Sequence, residues 1–489
     1  MKTIDQLEPK EVWTIFNELA KIPRPSKHED KAVEFAYNFG KKLGLETIKD
    51  QIGNVIIRKP ATKGMEKKAG IILEAHLDMV PQKNPDVKHD FKTDPIKPRI
   101  VGDLVYATGT TLGADNGLGV SMAMAVLKSK TLKHGPIEAL FTVDEETGMS
   151  GARALKPGIL KGEILMNLDS ETEGIIYVGC AGGLDGEAVF NYKTEKVPAG
   201  YVFKKIAVSG LIGGHSGMDI VLYRANANKI LSRILVPVMR DLNVRLCNIA
   251  GGSIRNSIPR DAHAIVAIPK KNERKVAAIV SKVRKEVTEK YKYTDKDLKV
   301  TIAPVKEKAP AIEKNTALAI VRAIYAIPNG VNRMSDTVAG FVETSNNMAI
   351  VQQDAKTIKV HSLMRSSVDS SKYDLAESMR AIVELAGGTC NFSGGYSGWQ
   401  LDMNSPILKV AKDVYKGLYN KEPEVTGIHA GLECGILGAA YPNWDMVSFG
   451  PTIYSPHSPD ERVEIASVEK CWKYLVELLK NAPASKINK

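Results

Sequence analysis

The sequence predicts an α/β fold in which a mixed sheet, with helices on both faces, is interrupted by an inserted α+β domain. Short apolar runs alternate with amphipathic segments in the N-terminal third, which is typical of a sheet covered by helices. The pattern changes by about Tyr201, and the α/β pattern returns after "GGYSGWQ" (394–400). The 489 residues also exceed what one hydrophobic core normally organises. We therefore predict one domain over residues 1–187 and 397–489, and an inserted domain over 188–396.

The N-terminal elements follow from helix signals and apolar runs. "SKHE" (26–29) predicts a capping box, in which Ser26 caps a helix and Glu29 reaches back, and this helix extends to about Lys42. The other predicted elements are a buried helix over 118–129 and strands over 54–59, 70–78, 138–146 and 163–171. Ligands in such sheets bind at the carboxyl ends of the strands, so residues at these ends are the first candidates for a site.

The inserted domain has an order of elements that occurs twice. "RNSIP" (255–259) and "NNMAI" (346–350) each begin a succession of Asn, apolar turn, strand, loop and helix. This succession predicts two related α+β halves. The α/β pattern then closes the chain with predicted helices over 405–419 and 466–481.

Composition limits the classes of function. The chain is 44% hydrophobic and 25% charged, as is typical of a soluble globular protein. Its net charge of +11 comes from lysines interleaved with acids, and no nucleic-acid-binding signature accompanies them, so we expect no nucleic-acid partner. No secretory signal and no long apolar run is present, so we expect no membrane insertion. Five scattered cysteines suit reduced thiols in the cytoplasm.

Acids and histidines gather where the predicted strands end. His76 and Asp78 lie two positions apart at one strand end, so their side chains point to the same side. Similar side chains follow other strands or lie in adjoining turns. The full set is His76, Asp78, Asp115, Glu145, Glu146, Asp169 and His457. We expect these residues to converge at the carboxyl edge of one sheet.

This set predicts a site for two divalent metal ions. Several carboxylates cannot share a dry cleft unless cations neutralise them. Histidine and carboxylate ligands without thiolates suit zinc, with cobalt or manganese as alternatives. Two histidines and three carboxylates are enough for two ions if one carboxylate bridges, and such a pair activates a water molecule. The doublet Glu145–Glu146 offers a spare acid to move the proton, because neighbouring side chains at a strand end point to opposite sides.

Each residue alone also has a structural interpretation. A single acid at a strand end is more often a helix cap or a surface charge, whereas the joint pattern favours a metal site. Histidines without such partners are predicted to be structural or exposed: His28, His89, His134, His263 and His361.

Seven motifs together resemble a known family of enzymes. They are "HLDMV", "TLGADNGLG", "TVDEETGMSGA", "NLDSE", "GGHSG", "HAGLECG" and "SPHSPDERV". The chain resembles the dinuclear zinc metallopeptidases of the aminoacylase and carnosinase type, and most of all their aminoacyl-histidine dipeptidase (cytosolic non-specific dipeptidase) branch. The resemblance covers essentially the whole chain and implies a catalytic α/β domain split by a lid domain.

The resemblance implies a role for each residue of the set. His76 and Asp169 would complete one metal site, and Glu146 and His457 the other. Asp115 would bridge the two ions, with a cis peptide before Asn116. Glu145 would be the general base and acid, and Asp78 would fix the ring of His76.

The same resemblance implies substrate-binding residues. His215 would stabilise the tetrahedral oxyanion, and Arg365 would bind the C-terminal carboxylate of the substrate. Asn256 would lie near the substrate, although Asn346 and Asn347 are alternatives. Glu433 would contact the substrate's amine. A purely structural role stays open for each of these side chains.

The predicted reaction is hydrolysis of dipeptides such as β-alanyl-histidine or a broad range of α-dipeptides. A metal-activated water would attack, Glu145 would transfer its proton, and the lid would exclude competing water. The alternatives are a related N-acyl amino acid deacylase and a non-catalytic binding protein. The complete ligand set disfavours the binding protein. The sequence is compatible with a monomer and with a homodimer, because a doubled lid could supply His215 within one chain.

Overall fold

The computed structural model describes residues 3–306 and 308–486, which form two compact units. The first unit comprises Met1–Gly179, Trp399–Gly427 and Leu432–Lys489, and the second comprises Cys180–Gly398 and Ile428–Gly431. The predicted insertion over 188–396 falls inside the second unit. Residues 1–2, 307 and 487–489 of the predicted domains lie outside the described residues.

Helices and strands are interspersed along the described chain. The helices are α1 (Lys10–Leu19), α2 (Asp30–Lys42), α3 (Ala114–Lys128), α4 (Glu145–Gly148), α5 (Ser150–Ala154), α6 (Ala227–Leu242), α7 (Glu273–Lys290), α8 (Lys314–Ala326), α9 (Asp369–Leu385), α10 (Pro406–Tyr419), α11 (Glu433–Ala440) and α12 (Ile465–Asn481). The strands are β1 (Glu46–Lys49), β2 (Val55–Lys59), β3 (Ile71–His76), β4 (Arg99–Val101), β5 (Leu104–Tyr106), β6 (Ile137–Thr142), β7 (Ile164–Asn167), β8 (Ile175–Cys180), β9 (Gly182–Asn191), β10 (Thr194–Glu195), β11 (Tyr201–Ser209), β12 (Arg245–Gly251), β13 (Ala262–Pro269), β14 (Lys299–Pro304), β15 (Ala311–Ile312), β16 (Gly330–Met334), β17 (Val342–Gln353), β18 (Thr357–Ser366), β19 (Thr389–Tyr396), β20 (Glu424–Ile428), β21 (Asp445–Ser448), β22 (Ile453–Tyr454) and β23 (Arg462–Glu464). The predicted α/β fold class is confirmed.

The first unit contains a mixed sheet in the order β1-β2-β6-β3-β7-β21-β8-β20. Strands β6, β3, β7 and β21 run parallel, and antiparallel strands flank them. Every residue of β3, β6 and β7 is buried, as expected for parallel strands that helices cover. Helix α3 contacts β3, and α10 contacts β21.

The carboxyl ends of the parallel strands are level with one another. His76 in β3 pairs with Thr142 in β6, and Asn167 in β7 pairs with both Glu74 in β3 and Ser448 in β21. Side chains that follow these strands therefore project from one edge of the sheet, where the sequence predicts the site.

The predicted capping box before α2 is wrong. The helix begins at Asp30, and its N-cap residue Glu29 makes no side-chain cap bond. Ser26 instead lies beside the chain that follows β3, where its N–H donates to the carbonyl of Met79 at 3.3 Å. A tertiary contact next to the bridge between Pro25 and Met79 thus replaces the local cap.

The second unit is built on an antiparallel sheet in the order β14-β11-β13-β12-β17-β18-β9-β19, with β16 paired to β17. Helices α6 to α9 pack against it and enclose an aliphatic core. Strands from the two predicted halves meet where Gly251 of β12 pairs with Val351 of β17. The internal duplication stays a prediction. No helix in the described ranges combines the length and apolar character needed to cross a membrane.

Candidate metal centre

Five of the predicted residues come together at the carboxyl edge of the first unit's sheet. The Nε2 atom of His76 lies 3.1 Å from Oδ1 of Asp115 and 3.2 Å from Oδ1 of Asp169. The Nε2 atom of His457 lies 3.1 Å from Oδ2 of Asp115 and 3.0 Å from Oε2 of Glu146. Asp115 thus presents one oxygen to each histidine, with a second carboxylate beside each.

The elements explain why these side chains meet. His76 is the last residue of β3, and Asp115 lies at the start of α3, where the backbone leaves helical geometry at Asp115 and Asn116. The peptide bond between these two residues is cis, as the resemblance implies. Asp169 follows β7, and His457 lies in the turn between β22 and β23.

Asp78 lies behind His76 and outside this group of oxygens. Its Oδ1 is 3.4 Å from Nδ1 of His76, on the opposite side of the ring from Asp115, and the side chain is 0% exposed. The same carboxylate accepts the backbone N–H of Glu145 at 3.0 Å and of Glu146 at 3.3 Å. Asp78 therefore links the imidazole to the start of α4.

Glu145 and Glu146 lie on a helix and not at a strand end. Strand β6 ends at Thr142, and α4 begins at Glu145 after Asp144 in a left-handed conformation. The argument from strand alternation is therefore wrong, because adjacent helical side chains diverge by roughly 100°. The two carboxylates still have separate surroundings, since the Glu146 side chain is the one that contacts His457.

Three observations indicate that these residues are suited to binding a divalent cation. Ligand atoms of His76, Asp115 and Glu146 all lie within 4.8 Å of one another. Oε1 of Glu146 and Oδ1 of Asp169 are buried without a hydrogen-bond partner, since the contact between Asp169 and Nε2 of His76 lacks hydrogen-bond geometry. The donors are imidazole nitrogens and carboxylate oxygens, which zinc, cobalt and manganese accept.

Electrostatics supports the same interpretation. Burial raises the pKa of Asp169 to about 7 and raises that of Glu145 well above its usual range. Burial lowers the pKa of His457, but its hydrogen bonds to Asp115 and Glu146 outweigh this and raise the pKa to about 11.

Sequence reasoning missed Glu171, which adds a further acid to this edge. Burial raises its pKa to about 9, and the charges of Asp115 and Asp169 act in the same direction. The signal was available, because Glu171 lies two positions after Asp169 in "NLDSE", the same spacing that singled out His76 and Asp78.

Glu433 is the first residue of α11 and is enclosed beneath the strand ends. It is 1% exposed, and its Oε2 accepts the hydroxyl of Thr142 at 2.5 Å. Burial raises its pKa well above the usual range, and the neighbouring Glu74 acts in the same direction. Its predicted contact with the substrate's amine stays a prediction.

The second unit holds His215, whose ring has a defined hydrogen-bonding pattern. Nδ1 accepts the backbone N–H groups of Gly217 at 3.3 Å and Met218 at 3.1 Å. The N–H of His215 itself donates to Asp219 at 2.8 Å. Because Nδ1 is an acceptor, the neutral ring carries its proton on Nε2.

Arg365 and His429 are buried in the same unit. Nη1 of Arg365 lies 3.5 Å from the hydroxyl of Tyr396, and its Nε has no hydrogen-bond partner. His429, which sequence reasoning missed beside Glu433 in "HAGLECG", bonds through Nε2 to the hydroxyl of Ser345 at 2.7 Å. Burial lowers the pKa of His429 to about 3, and the charge of Arg365 acts in the same direction.

The three candidate asparagines differ in exposure. Asn256 is exposed, and its carbonyl accepts the N–H of Ser216 at 2.8 Å. Asn346 and Asn347 are each 1% exposed and donate to backbone carbonyls of the unit. Only Asn256 of the three therefore has a side chain open to solvent.

Known proteins are similar to this chain in sequence and in fold. The sequence profile of the peptidase family M20/M25/M40 matches residues 72–481. The cytosol non-specific dipeptidase of Escherichia coli is 44% identical over 484 residues, which cover 99% of this chain and 100% of that protein. The crystal structure of aminoacylhistidine dipeptidase from Vibrio alginolyticus matches with a TM-score of 0.94 and 45% identity, over 99% of both chains. Aminopeptidase PepT from Bacillus cereus shares the fold, with a TM-score of 0.57 and 16% identity over 97% of this chain and 99% of that one.

Proposed function

Because this chain belongs to the peptidase family M20/M25/M40, we propose that it hydrolyses dipeptides in a metal-dependent reaction. The observation that supports this most is the position of Asp115, which presents one carboxylate oxygen to each of two histidines. The names of the two similar dipeptidases favour aminoacyl-histidine peptides and other dipeptides as substrates, and a cytosolic location.

Five residues would hold two divalent ions. His76 and Asp169 would bind one ion, His457 and Glu146 the other, and Asp115 both. When bound, zinc, cobalt or manganese would polarise the scissile carbonyl and lower the pKa of water. Asp78 would orient His76 through its Nδ1 side.

Glu145 would move the proton in this reaction. Its backbone N–H is anchored on Asp78, and burial raises the pKa of its carboxyl group. A carboxylate of raised pKa is a stronger base, so Glu145 would accept the proton of the attacking water and pass it to the leaving amine.

The second unit would supply substrate-binding groups. His215 would donate its Nε2 proton to the oxyanion, since Nδ1 already accepts two N–H groups. Arg365 would bind the substrate's free carboxylate, and its buried Nε is an unused donor for this purpose. Asn256 would contact the substrate. These contacts would favour small substrates with a free C-terminus.

A substrate panel tests the proposal. Metal-free protein is reconstituted with zinc, cobalt or manganese and assayed on β-alanyl-histidine, several α-dipeptides, a tripeptide and N-acetyl amino acids. We expect the dipeptides to be cleaved only with metal. Preferential cleavage of N-acetyl amino acids would identify a deacylase, and absence of turnover with all three metals would contradict the proposal.

The adjacent pair Glu145 and Glu146 provides a matched test of the roles. Glu145→Gln should keep both ions and lose about 10²- to 10⁴-fold in kcat. Glu146→Gln should lose metal as well as activity. Metal analysis of both purified variants decides the question, and equal metal loss would contradict this division.

A further inference from the structure

Glu461 is a buried carboxylate that binds the loop before Asp115. It is 2% exposed. Its Oε2 accepts the backbone N–H groups of Leu112 at 2.7 Å and Gly113 at 2.9 Å. Its Oε1 accepts those of Ala114 at 2.8 Å and Asp115 at 3.3 Å. Four N–H groups of residues 112–115 thus converge on a single side chain; this stretch, which ends the loop and begins α3, is called the Asp115 loop.

Arg24 holds the other side of the same loop. It is also 2% exposed, and its guanidinium donates to the carbonyl of Gly113 at 2.5 Å. It donates as well to the carbonyls of Leu77 at 2.9 Å and Asp78 at 2.7 Å, directly after β3. Arg24 therefore joins the backbone beside His76 to the loop that carries Asp115.

We propose that Glu461, together with Arg24, is a positioning residue that fixes the direction of the Asp115 carboxylate between His76 and His457. The proposal rests on the proposed metal-dependent function. Glu461 lies four positions after His457, so its bonds connect the turn of one histidine to the loop of the bridging acid. Arg24 connects that loop to the strand of the other histidine.

The chemistry requires a carboxylate at this position. A carboxylate has about four acceptor sites and no donor, which matches four converging N–H groups. An amide of the same size has one acceptor oxygen, and its NH₂ group would face the N–H donors. Glu461→Gln should therefore leave part of the loop unbonded and let the Asp115 side chain move.

The test measures metal affinity of the folded protein. The wild-type protein is first shown to bind Co²⁺ and to cleave a dipeptide, so that failure of the proposed function is seen separately. Metal-free Glu461→Gln is then titrated with Co²⁺ against a competing chelator. We expect its apparent dissociation constant to rise about 10- to 100-fold, as for other groups that orient metal ligands. The matched control is Asp460→Asn, an exposed acid in the same turn, which should bind as the wild type does.

Two further measurements separate positioning from a general structural role. Circular dichroism at 10 °C shows whether each metal-free variant is folded. Arg24→Lys keeps the charge but cannot reach all three carbonyls, and it should weaken Co²⁺ binding in the same direction by a smaller factor. Wild-type affinity in folded Glu461→Gln would overturn the proposal. If that variant unfolds, wild-type affinity in Arg24→Lys overturns it, and unfolding of both variants would show that the pair serves folding alone.

Discussion

His76 and Asp78 show how two similar positions acquire different surroundings. Both lie at one strand end and point to the same side, so the residue pattern alone treats them as equal ligands. In the structure, His76 directs Nε2 towards Asp115 and Asp169, whereas Asp78 contacts the Nδ1 side and two backbone N–H groups of α4. These different surroundings of His76 and Asp78 agree with the roles that the family resemblance implies for them. The roles themselves stay predictions.

Asp78→Asn should therefore weaken metal binding without removing a ligand. The amide cannot replace all of the carboxylate's contacts with Nδ1 of His76 and with the N–H groups of α4. The imidazole is then held on this side mainly by the backbone carbonyl of Asp78, 3.2 Å from Nδ1. We expect a 10- to 100-fold loss of metal affinity, measured by chelator competition. Asp86→Asn, an exposed acid in the loop after β3, is the control. An unchanged affinity in Asp78→Asn would show that His76 needs no such support.

His429 makes the stability of the second unit depend on pH. Its imidazole has a pKa of about 3 in the folded protein, lowered by burial and by Arg365, against an ordinary value of 6.5. Between these values the unfolded chain binds a proton that the folded chain does not, so the free energy of unfolding falls as the pH falls from 6.5 towards 3. The slope contributed by this group is at most about 1.4 kcal/mol per pH unit.

Urea unfolding of the second unit between pH 7 and pH 4 measures this effect. His429→Asn should have a shallower pH dependence than the wild type, because the variant cannot take up the proton on unfolding. His361→Asn, a half-exposed histidine on β18, is the control in the same unit. Parallel curves for His429→Asn and the wild type would contradict the expected proton uptake.

The sequence predicted the five side chains that meet in the metal centre, and it missed Glu461 and Arg24, whose partners are backbone groups. His76 and Asp169 stand at or just after strands that can be recognised from apolar runs, and the other three lie in the helix starts and the turn that adjoin the sheet edge. Glu461 and Arg24 bind backbone groups far away in the sequence, and no pattern marks such partners. Burial of His429 likewise depends on tertiary packing.

At the scale of elements, α3 brings Asp115 to the sheet by an unusually close approach. A Cβ atom at Gly119 would lie 2.7 Å from the backbone oxygen of Leu168, just after β7. The side-chain oxygen of Asn116 occupies the same space. Only glycine allows α3 to pack this closely, and this contact sets the distance between the Asp115 loop and the residue that follows Leu168, Asp169.

Two glycine-to-alanine variants should change stability in opposite directions. Gly119→Ala should lower the free energy of unfolding by about 1–3 kcal/mol, because the backbone oxygen cannot yield easily. Gly417→Ala, inside α10 and with no atom from outside its own stretch of helix within 4 Å of the added Cβ, should raise it by about 0.5–1 kcal/mol. Thermal unfolding of both variants measures the two changes in stability. A change of the same sign in both would contradict the close approach of α3 at Gly119.

Element boundaries show where local signals were overridden. The strands predicted at 54–59, 70–78, 138–146 and 163–171 occur as β2, β3, β6 and β7, and the last three end before Asp78, Glu145 and Asp169. The acids after β6 form α4 instead of extending the strand, and the capping signal at Ser26 gives way to a contact with Met79. At α4 and at Ser26, polar groups bond to residues that follow β3 and not to groups in their own segment. Local propensity contains no information about such distant partners.

At the scale of the whole molecule, the five cysteines are buried or half-buried thiols. Cys180, Cys247, Cys434 and Cys471 are buried, and Cys390 is half-buried. Burial raises the pKa of Cys247 and of Cys390 to about 11, so little thiolate exists at neutral pH. This agrees with the expectation of reduced thiols from their scattered positions.

A thiol count on the intact protein checks this arrangement. With Ellman's reagent at pH 8, native protein should react slowly and mainly at Cys390, whereas protein in concentrated urea should yield all five thiols. Cys390→Ser should abolish most of the native reaction. Rapid modification of two or more native thiols would contradict the burial described.

The first unit is assembled from stretches of chain on either side of the second, and this has a consequence during synthesis. Asp115 and His457 are 342 positions apart, and the whole of the second unit is made between them. At a translation rate of about 5–20 residues per second, a ribosome needs roughly 20 to 70 s to pass from one to the other. A nascent chain that stalls within the second unit already contains Asp115 and Asp169 but neither His457 nor Glu461. Under the proposed function, incomplete chains would be unable to act as peptidases while still attached to the ribosome.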